Sequence, residues 1–281
     1  MNAGAEDLAF DPRARHTASE GADVANTGAR DGLSRCTSVF TTRIVIITML
    51  CRRIMKLDIA IFDVDGTLRS VADPWLHLHA HLGTAKEGEG FYARWKEGQI
   101  SYAEMAALDA SVWRGFTRKR MLSSLASNPL RDGAGQLIAW VKVQGVPCVG
   151  VSTGLSLFND HTAHQLGLDE VVSNELVFSG ETCTGEVIVN VEEDSKAEVV
   201  RRLLQRYEID GGKIVAFGDS EADVPMFDLA AVSVAVFPRS PEVRRKADLV
   251  IESEPIDRVV EQLAEYCQEE DITTESNATS G

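Results

Sequence analysis

Ile59-Ala60-Ile61-Phe62-Asp63-Val64-Asp65-Gly66-Thr67-Leu68 decides how the rest of the 281-residue chain is read. Four apolar residues run directly into two carboxylates one residue apart. A short apolar run of this kind predicts a strand buried on both faces, as in a parallel sheet. Asp63 and Asp65 then stand at its carboxyl end, where open α/β sheets bind ligands. Gly66 permits a sharp turn immediately after the acids. Two carboxylates held together suit a divalent cation, and one can attack while the other moves a proton. The same residues also fit a solvated Asp-Gly turn, and this stretch alone does not separate the two readings.

Two further apolar runs end the same way. Residues 146–151 predict a second buried strand that ends in Ser152-Thr153-Gly154. Residues 214–217 predict a third, which ends in Gly218-Asp219-Ser220-Glu221-Ala222-Asp223. Between them lie helical periods over 135–144, 158–166 and 195–207, the last with Ser195 as its cap. A hairpin pairs 175–178 with 186–191 across a Gly180–Gly185 turn. Strands at 232–236 and 249–251, a short helix after Pro241 and a helix over 256–267 complete the alternation. Strands alternating with helices predict an α/β, doubly wound parallel sheet. Its strand ends share one edge, so Asp63, Asp65, Ser152, Asp219 and Asp223 can share one site. Three or four carboxylates there need a cation, and Mg²⁺ is the natural one. Lys196, opening the helix after Ser195, would offset the acids and hold a phosphoryl oxygen, although an isolated lysine is more often solvated.

Residues 74–128 break the alternation. Apolar positions fall at three- and four-residue steps, as in Tyr102, Met105, Leu108 and Val112, and Ser101 with Glu104 forms a capping-box pattern. This predicts a small helical module inserted between the first two strands, with Trp75, Trp95 and Trp113 as its core rather than a ligand cage. The domain plan is therefore a core over 55–73 and 129–267, a helical insertion over 74–128, and two flanking segments. Residues 1–54 contain seven Arg, no Lys and six acids, a net of +1 in a chain of −15. Their aperiodic Gly/Ala/Ser/Thr/Arg composition predicts disorder or a start displaced toward Met55. Residues 268–281 are acidic and Ser/Thr-rich, again predicting a disordered tail.

A formal charge of −15 opposes nucleic-acid binding, which needs a basic face. The apolar run at 44–50 is far short of the ~20 residues of a membrane span, so no membrane association is expected. The five cysteines are odd in number and form no CxxC pair, which fits a reducing, cytoplasmic setting.

Taken together the strand-end residues resemble the haloacid dehalogenase superfamily of phosphatases. Its hhhhDxDxT motif is matched by residues 59–67, its apolar strand ending in Ser or Thr by Val149-Gly150-Val151-Ser152, its lysine by Lys196, and its GDxxxD motif by residues 218–223. The helical insertion and the stretch Asn174-Glu175-Leu176-Val177-Phe178 resemble the phosphoserine phosphatase branch. The resemblance implies a Rossmann-like core with a cap, and Mg²⁺-dependent hydrolysis of a small phosphomonoester. Asp63 would be the nucleophile, forming an aspartyl-phosphate, and Asp65 the acid and base. Ser152, Thr153 and Lys196 would bind phosphate. Asp63, Asp65 through its carbonyl, Asp219 and Asp223 would hold the metal, and Thr67 would orient Asp65. Phosphoryl transfer to an alcohol acceptor, or phosphoserine hydrolysis proper, are the alternatives. Two departures bear on specificity: Ser152-Thr153-Gly154 stands where the branch has Ser-Gly-Gly, and Val71-Ala72-Asp73 lacks the glutamate that holds a substrate amine. They predict a substrate other than phosphoserine, such as a sugar or polyol phosphate. Arg114, Arg118 and Arg120 are weak candidates to meet an anionic substrate. The residues leave the oligomeric state open.

Overall fold

β1 (Ile59–Phe62) lies at the centre of the sheet with every residue buried, as its unbroken apolar text requires. The protein was analysed as a computed structural model, which describes residues 57–210 and 212–264. The expected disorder of the two flanking segments and the Met55 start lie outside the described residues, as does the end of the helix expected to reach Cys267.

The sheet has seven strands in the order β4-β3-β2-β1-β5-β6-β7. The others are β2 (Cys148–Leu155), β3 (Glu170–Ser179), β4 (Thr182–Ile188), β5 (Ile214–Gly218), β6 (Val232–Val236) and β7 (Leu249–Ile251). All neighbours pair in parallel except β3 and β4. The sheet is thus doubly wound with one antiparallel edge. The chain steps from β1 outward through β2 and β3, then returns to β5 on the other side of β1. That reversal is a topological switch point, and it sets the carboxyl ends of β1, β2 and β5 side by side.

Each face of the sheet is covered. On one side Phe62 stacks on Phe217, with ring centroids 4.5 Å apart, among Leu137, Ile138 and Val141 of α5 (Ala134–Val143). On the other, Ile59 and Ile61 meet Val199, Val200 and Leu203 of α7 (Lys196–Arg206). Each such side chain contributes about 1.5–3 kcal/mol when fully buried. The remaining core helices are α6 (Ser156–Leu166), α8 (Val224–Phe227) and α9 (Pro241–Lys246).

The insertion is helical throughout: α1 (Pro74–Leu82), α2 (Ala85–Lys96), α3 (Tyr102–Val112), α4 (Arg118–Leu122) and a 3₁₀ turn (Ser123–Ser127). The Ser101–Glu104 capping box forms in both directions. The insertion's apolar side continues into the core through Leu155, Phe158 and Leu176.

Three local expectations are corrected. β2 runs through Ser152-Thr153-Gly154 to Leu155 instead of ending before them. The hairpin is longer and tighter: β3 and β4 turn over residues 180–181, because β3 serves both β2 and β4 and so is fixed at both halves. Ser195 precedes α7 but makes no side-chain cap; its hydroxyl instead accepts from the Glu192 N–H (2.7 Å).

Candidate active site

Asp63 and Asp65 leave β1 on a turn that only glycine can make at its next position. Gly66 has φ +97°, and a Cβ there would come within 2.2 Å of the Asp219 carboxylate. The β1 turn is therefore packed directly against the end of β5. Gly154 serves β2 in the same way, since a Cβ would meet Asp65 Oδ2 at 2.2 Å. These close approaches compress three strand ends into one polar floor.

The two acids of β1 have different surroundings. Lys196 Nζ donates to Asp63 Oδ1 (2.7 Å) and to Asp223 Oδ1 (2.6 Å), and all three side chains are buried. Asp219 joins them: ligand oxygens of Asp63, Asp219 and Asp223 lie within 4.8 Å of one another. Asp223 is itself held by the N–H groups of Asp219 (2.9 Å) and Ser220 (3.0 Å) and by the Ser220 hydroxyl (3.1 Å). Asp65 turns away from this group. Its Oδ2 accepts from Ser152 Oγ (2.8 Å), which in turn accepts from the Gly154 N–H (2.8 Å).

Burial governs the charges. It pushes Asp63 and Asp219 well above the ordinary carboxylate range, reinforced by their acidic neighbours and opposed by Lys196. Burial raises Asp65 to about 6, against the hydrogen bond from Ser152. Burial also works against the Lys196 ammonium, but Asp223 and Asp63 outweigh it and hold its pKa up. Three buried carboxylates, when ionised, outnumber Lys196 and the half-exposed Arg239 beside them. Asp63 Oδ2 is also buried with no hydrogen-bond partner. Both observations fit a divalent cation ligated by Asp63, Asp219 and Asp223.

This gives a pH prediction. In the folded chain Asp63, Asp65 and Asp219 release their protons at higher pH than the unfolded value near 3.9. The metal-free fold therefore binds excess protons from about pH 4 to above pH 6, and its stability falls as pH rises through that window. A cation at these oxygens displaces the protons, so it binds more tightly at higher pH. Added Mg²⁺ should raise the unfolding midpoint by several degrees at about pH 8 and by much less at about pH 5. Equal shifts at both would place the cation elsewhere.

Other expected residues stand differently. Thr67 is buried, but its hydroxyl has no partner, so it does not bond Asp65; Ser152 bonds Asp65 Oδ2, and Asp65 Oδ1 is buried and unpartnered too. The Ser152 hydroxyl is correspondingly turned to Asp65. The Thr153 carbonyl accepts from three side chains at 2.9 Å each: Trp75 Nε1, Tyr102 Oη and Asn174 Nδ2. Trp75 and Tyr102 belong to the insertion, so Thr153 ties α1 and α3 to the end of β2. Trp113 is core, as expected, whereas Trp75 and Trp95 also line the cavity. Arg114, Arg118 and Arg120 do not line it; Arg118 lies over the Phe178 ring and Arg120 over Phe116.

Several residues have roles that the sequence reading did not assign. Asn174 is buried and joins Thr153 to residues 190–191, accepting from the N–H groups of Asn190 and Val191. An asparagine inside an apolar strand was the available signal. Arg239 places its Nε 4.0 Å from Asp219. Asp109 and His79 form a buried pair on the cavity wall (2.9 Å). Asp109 and Arg239 border a cavity of about 400 Å³ between the insertion and the strand ends, with Asp63, Asp65, Lys196 and Asp219 on its floor.

A carboxylate bonded to a buried lysine, a second carboxylate held apart and an acidic cluster that suits a cation stand together at a sheet switch point, the placement that the resemblance to phosphatases implies. The comparisons agree. The model of the haloacid dehalogenase-like hydrolases matches residues 60–228. The phosphoserine phosphatase of Halobacterium salinarum is 30% identical over 196 residues, covering 68% of this chain and 91% of that protein. That of Albidiferax ferrireducens is 29% identical, covering 74% and 90%. A solved substrate-bound phosphoserine phosphatase complex superposes with a TM-score of 0.63 at 22% identity, covering 74% of this chain and 98% of that one. A probable phosphoserine phosphatase from Vibrio cholerae gives 0.67 at 24%, covering 76% and 67%. The chain belongs to the haloacid dehalogenase-like hydrolase family. Within it, the chain is a phosphatase similar to the phosphoserine phosphatase branch. No helix among the described residues is long and apolar enough to cross a membrane.

Proposed function

We propose that the chain hydrolyses a small phosphomonoester with Mg²⁺, through a phosphoryl group carried on Asp63. The observation that carries this reading is the division of labour at the β1 end. Asp63 shares a buried charge cluster with Lys196, while Asp65, two residues on, is held apart by Ser152. Asp63 attacks phosphorus and the ester oxygen leaves; water then attacks the aspartyl-phosphate and restores Asp63. Asp65 gives its proton to the leaving oxygen and takes one from the water. A carboxyl raised to about 6 suits both steps near neutral pH. Lys196, already on Asp63 Oδ1, would hold the transferring oxygens beside Thr153 on the cavity wall, and Ser152 would join them by turning its hydroxyl from Asp65. Mg²⁺ on Asp63, Asp219, Asp223 and the Asp65 carbonyl would supply positive charge where the phosphoryl oxygens gather. Residues 74–128 serve as a cap that screens the site and reads the leaving group.

The test is release of inorganic phosphate from a panel of phosphomonoesters with Mg²⁺, with and without an alcohol acceptor. Phosphate release without acceptor supports hydrolysis. Turnover only when an acceptor is present replaces it with transfer. Asp65→Asn should lower kcat on alkyl phosphates by about 10²–10⁴-fold, with a smaller loss in the first step for p-nitrophenyl phosphate, whose leaving group needs little protonation. Equal losses on both would remove Asp65 from proton transfer.

Phosphoserine, the substrate in the relatives' names, is disfavoured. The carboxylate of a zwitterion would stand beside Asp73 and Asp109, which border the cavity as acids. Lys96 Nζ meets Glu193 (3.3 Å) and Arg239 faces Asp219.

A further inference from the structure

The upper wall of the cavity has an unusual composition for a site that receives phosphate esters. Four aromatic side chains, Trp75, Tyr92, Trp95 and Tyr102, line it. The polar edges of Trp75 and Tyr102 are spent on the Thr153 carbonyl, so their rings are what remains for a ligand. Trp95 and Tyr102 meet edge to face with centroids 5.6 Å apart, and Tyr92 and Trp95 do so at 5.4 Å. The Lys96 ammonium rests over the Trp95 ring at 4.1 Å, a cation on an aromatic face at the cavity's edge.

Acids accompany the rings. Asp109 Oδ1 pairs with His79 Nε2, and His79 Nδ1 pairs with Thr84 Oγ1 (2.7 Å). His79 is locked there by Trp113 and by α2, which approaches so closely that a Cβ on Gly88 would strike the imidazole at 2.4 Å. The Asp109 carboxylate is thus fixed from behind. Its second oxygen has no donor among the described residues, and the residue borders the cavity. Asp73 borders it too, one oxygen capping α1 through the Leu76 N–H (2.9 Å). Burial is the leading cause that raises both carboxyls, as expected where a carboxylate lacks a full counter-charge. Lys96 and Arg239 are each set against another acid, Glu193 and Asp219, so the surplus charge of this wall is negative.

We propose that this aromatic and acidic wall, with Asp109 as its fixed acceptor, selects a leaving group that carries an ammonium and no carboxylate: the phosphate ester of a small amino alcohol. This rests on the phosphatase reading above and replaces the sugar or polyol phosphate expected from the sequence. The ammonium supplies a donor to the second Asp109 oxygen and sits against the rings, while a carboxylate on the same carbon would face the like charges of Asp73 and Asp109.

The test compares kcat/KM of the Mg²⁺-loaded enzyme on O-phosphoethanolamine, O-phospho-L-serine, glycerol 3-phosphate and p-nitrophenyl phosphate. The first two differ only by a carboxylate, and the third lacks the amine. O-phosphoethanolamine should exceed both by at least about tenfold. Equal or higher values for phosphoserine or glycerol phosphate overturn the inference while leaving the phosphatase reading standing. No turnover of any of the four overturns both. Asp109→Asn should narrow the ratio of O-phosphoethanolamine to glycerol 3-phosphate at least about tenfold. Asp73→Asn, which keeps the helix cap, should narrow it in the same direction. An unchanged ratio in both folded variants places the ammonium elsewhere and overturns the assignment.

Discussion

Asp63→Asn is expected to abolish turnover, lowering kcat by at least about 10⁴-fold. On the function proposed above, the substitution removes the attacking oxygen and one face of the cation site together. Asp63 is bonded to Lys196 through Oδ1, while Oδ2 is buried and unpartnered. An amide in its place carries no negative charge and puts an N–H₂ group at one of these two positions. Rapid quench with substrate, followed by intact mass measurement, should find a phosphorylated chain in the parent protein and none in the variant. A phosphorylated Asp63→Asn chain would move the nucleophile to another residue.

Lys196→Met should have the largest effect on stability. The ammonium is buried and touches Asp63 at 2.7 Å and Asp223 at 2.6 Å. Methionine fills similar volume but leaves three acids facing one another, with the half-exposed Arg239, 4.0 Å from Asp219, as the nearby cation. Removing one partner of a buried ion pair costs about 3–5 kcal/mol. In a domain of this size each kcal/mol shifts the midpoint by about 2–4 °C, so a loss on the order of 10 °C is expected in chelator-treated protein. The acids protonate more readily at low pH, so the loss should shrink as pH falls toward about 5. Mg²⁺ should recover part of it at pH 8, since a divalent cation answers the same surplus charge. A variant as stable as the parent at pH 8 without metal would mean that these carboxylates are protonated in the native fold and that the lysine is not their counter-ion.

The central strand and its acids were legible because they depend on local pattern. Ile59-Ala60-Ile61-Phe62 has no polar position to give a sheet an outer face, so it had to be buried on both sides, and all four residues are. The Asp-x-Asp-Gly order put two carboxylates at the strand end, and Gly66 does take the positive φ that this turn needs. Lys196 was ambiguous by itself and gained meaning only from the three strand ends that surround it. The insertion was readable as helical from its three- and four-residue steps and its capping box.

What the sequence determined by itself is thus the α/β alternation, the residues at the ends of β1, β2 and β5, and the family they resemble. These follow from periodicity and from neighbours in the chain. Which oxygen each polar group meets was decided only in three dimensions. Ser152 turns to Asp65, Thr67 is left unpaired, and Thr153 uses its carbonyl to fasten Trp75 and Tyr102, because Gly66 and Gly154 let strand ends from distant parts of the chain approach within contact distance. The wall above the site was hidden for a related reason. Asp109 sits among the apolar positions of α3, where a helical pattern makes it look like an interruption of the core. Only the packing of α1, α2 and α3 around His79 and Trp113 turns that carboxylate toward the cavity, and with it the selection of what enters.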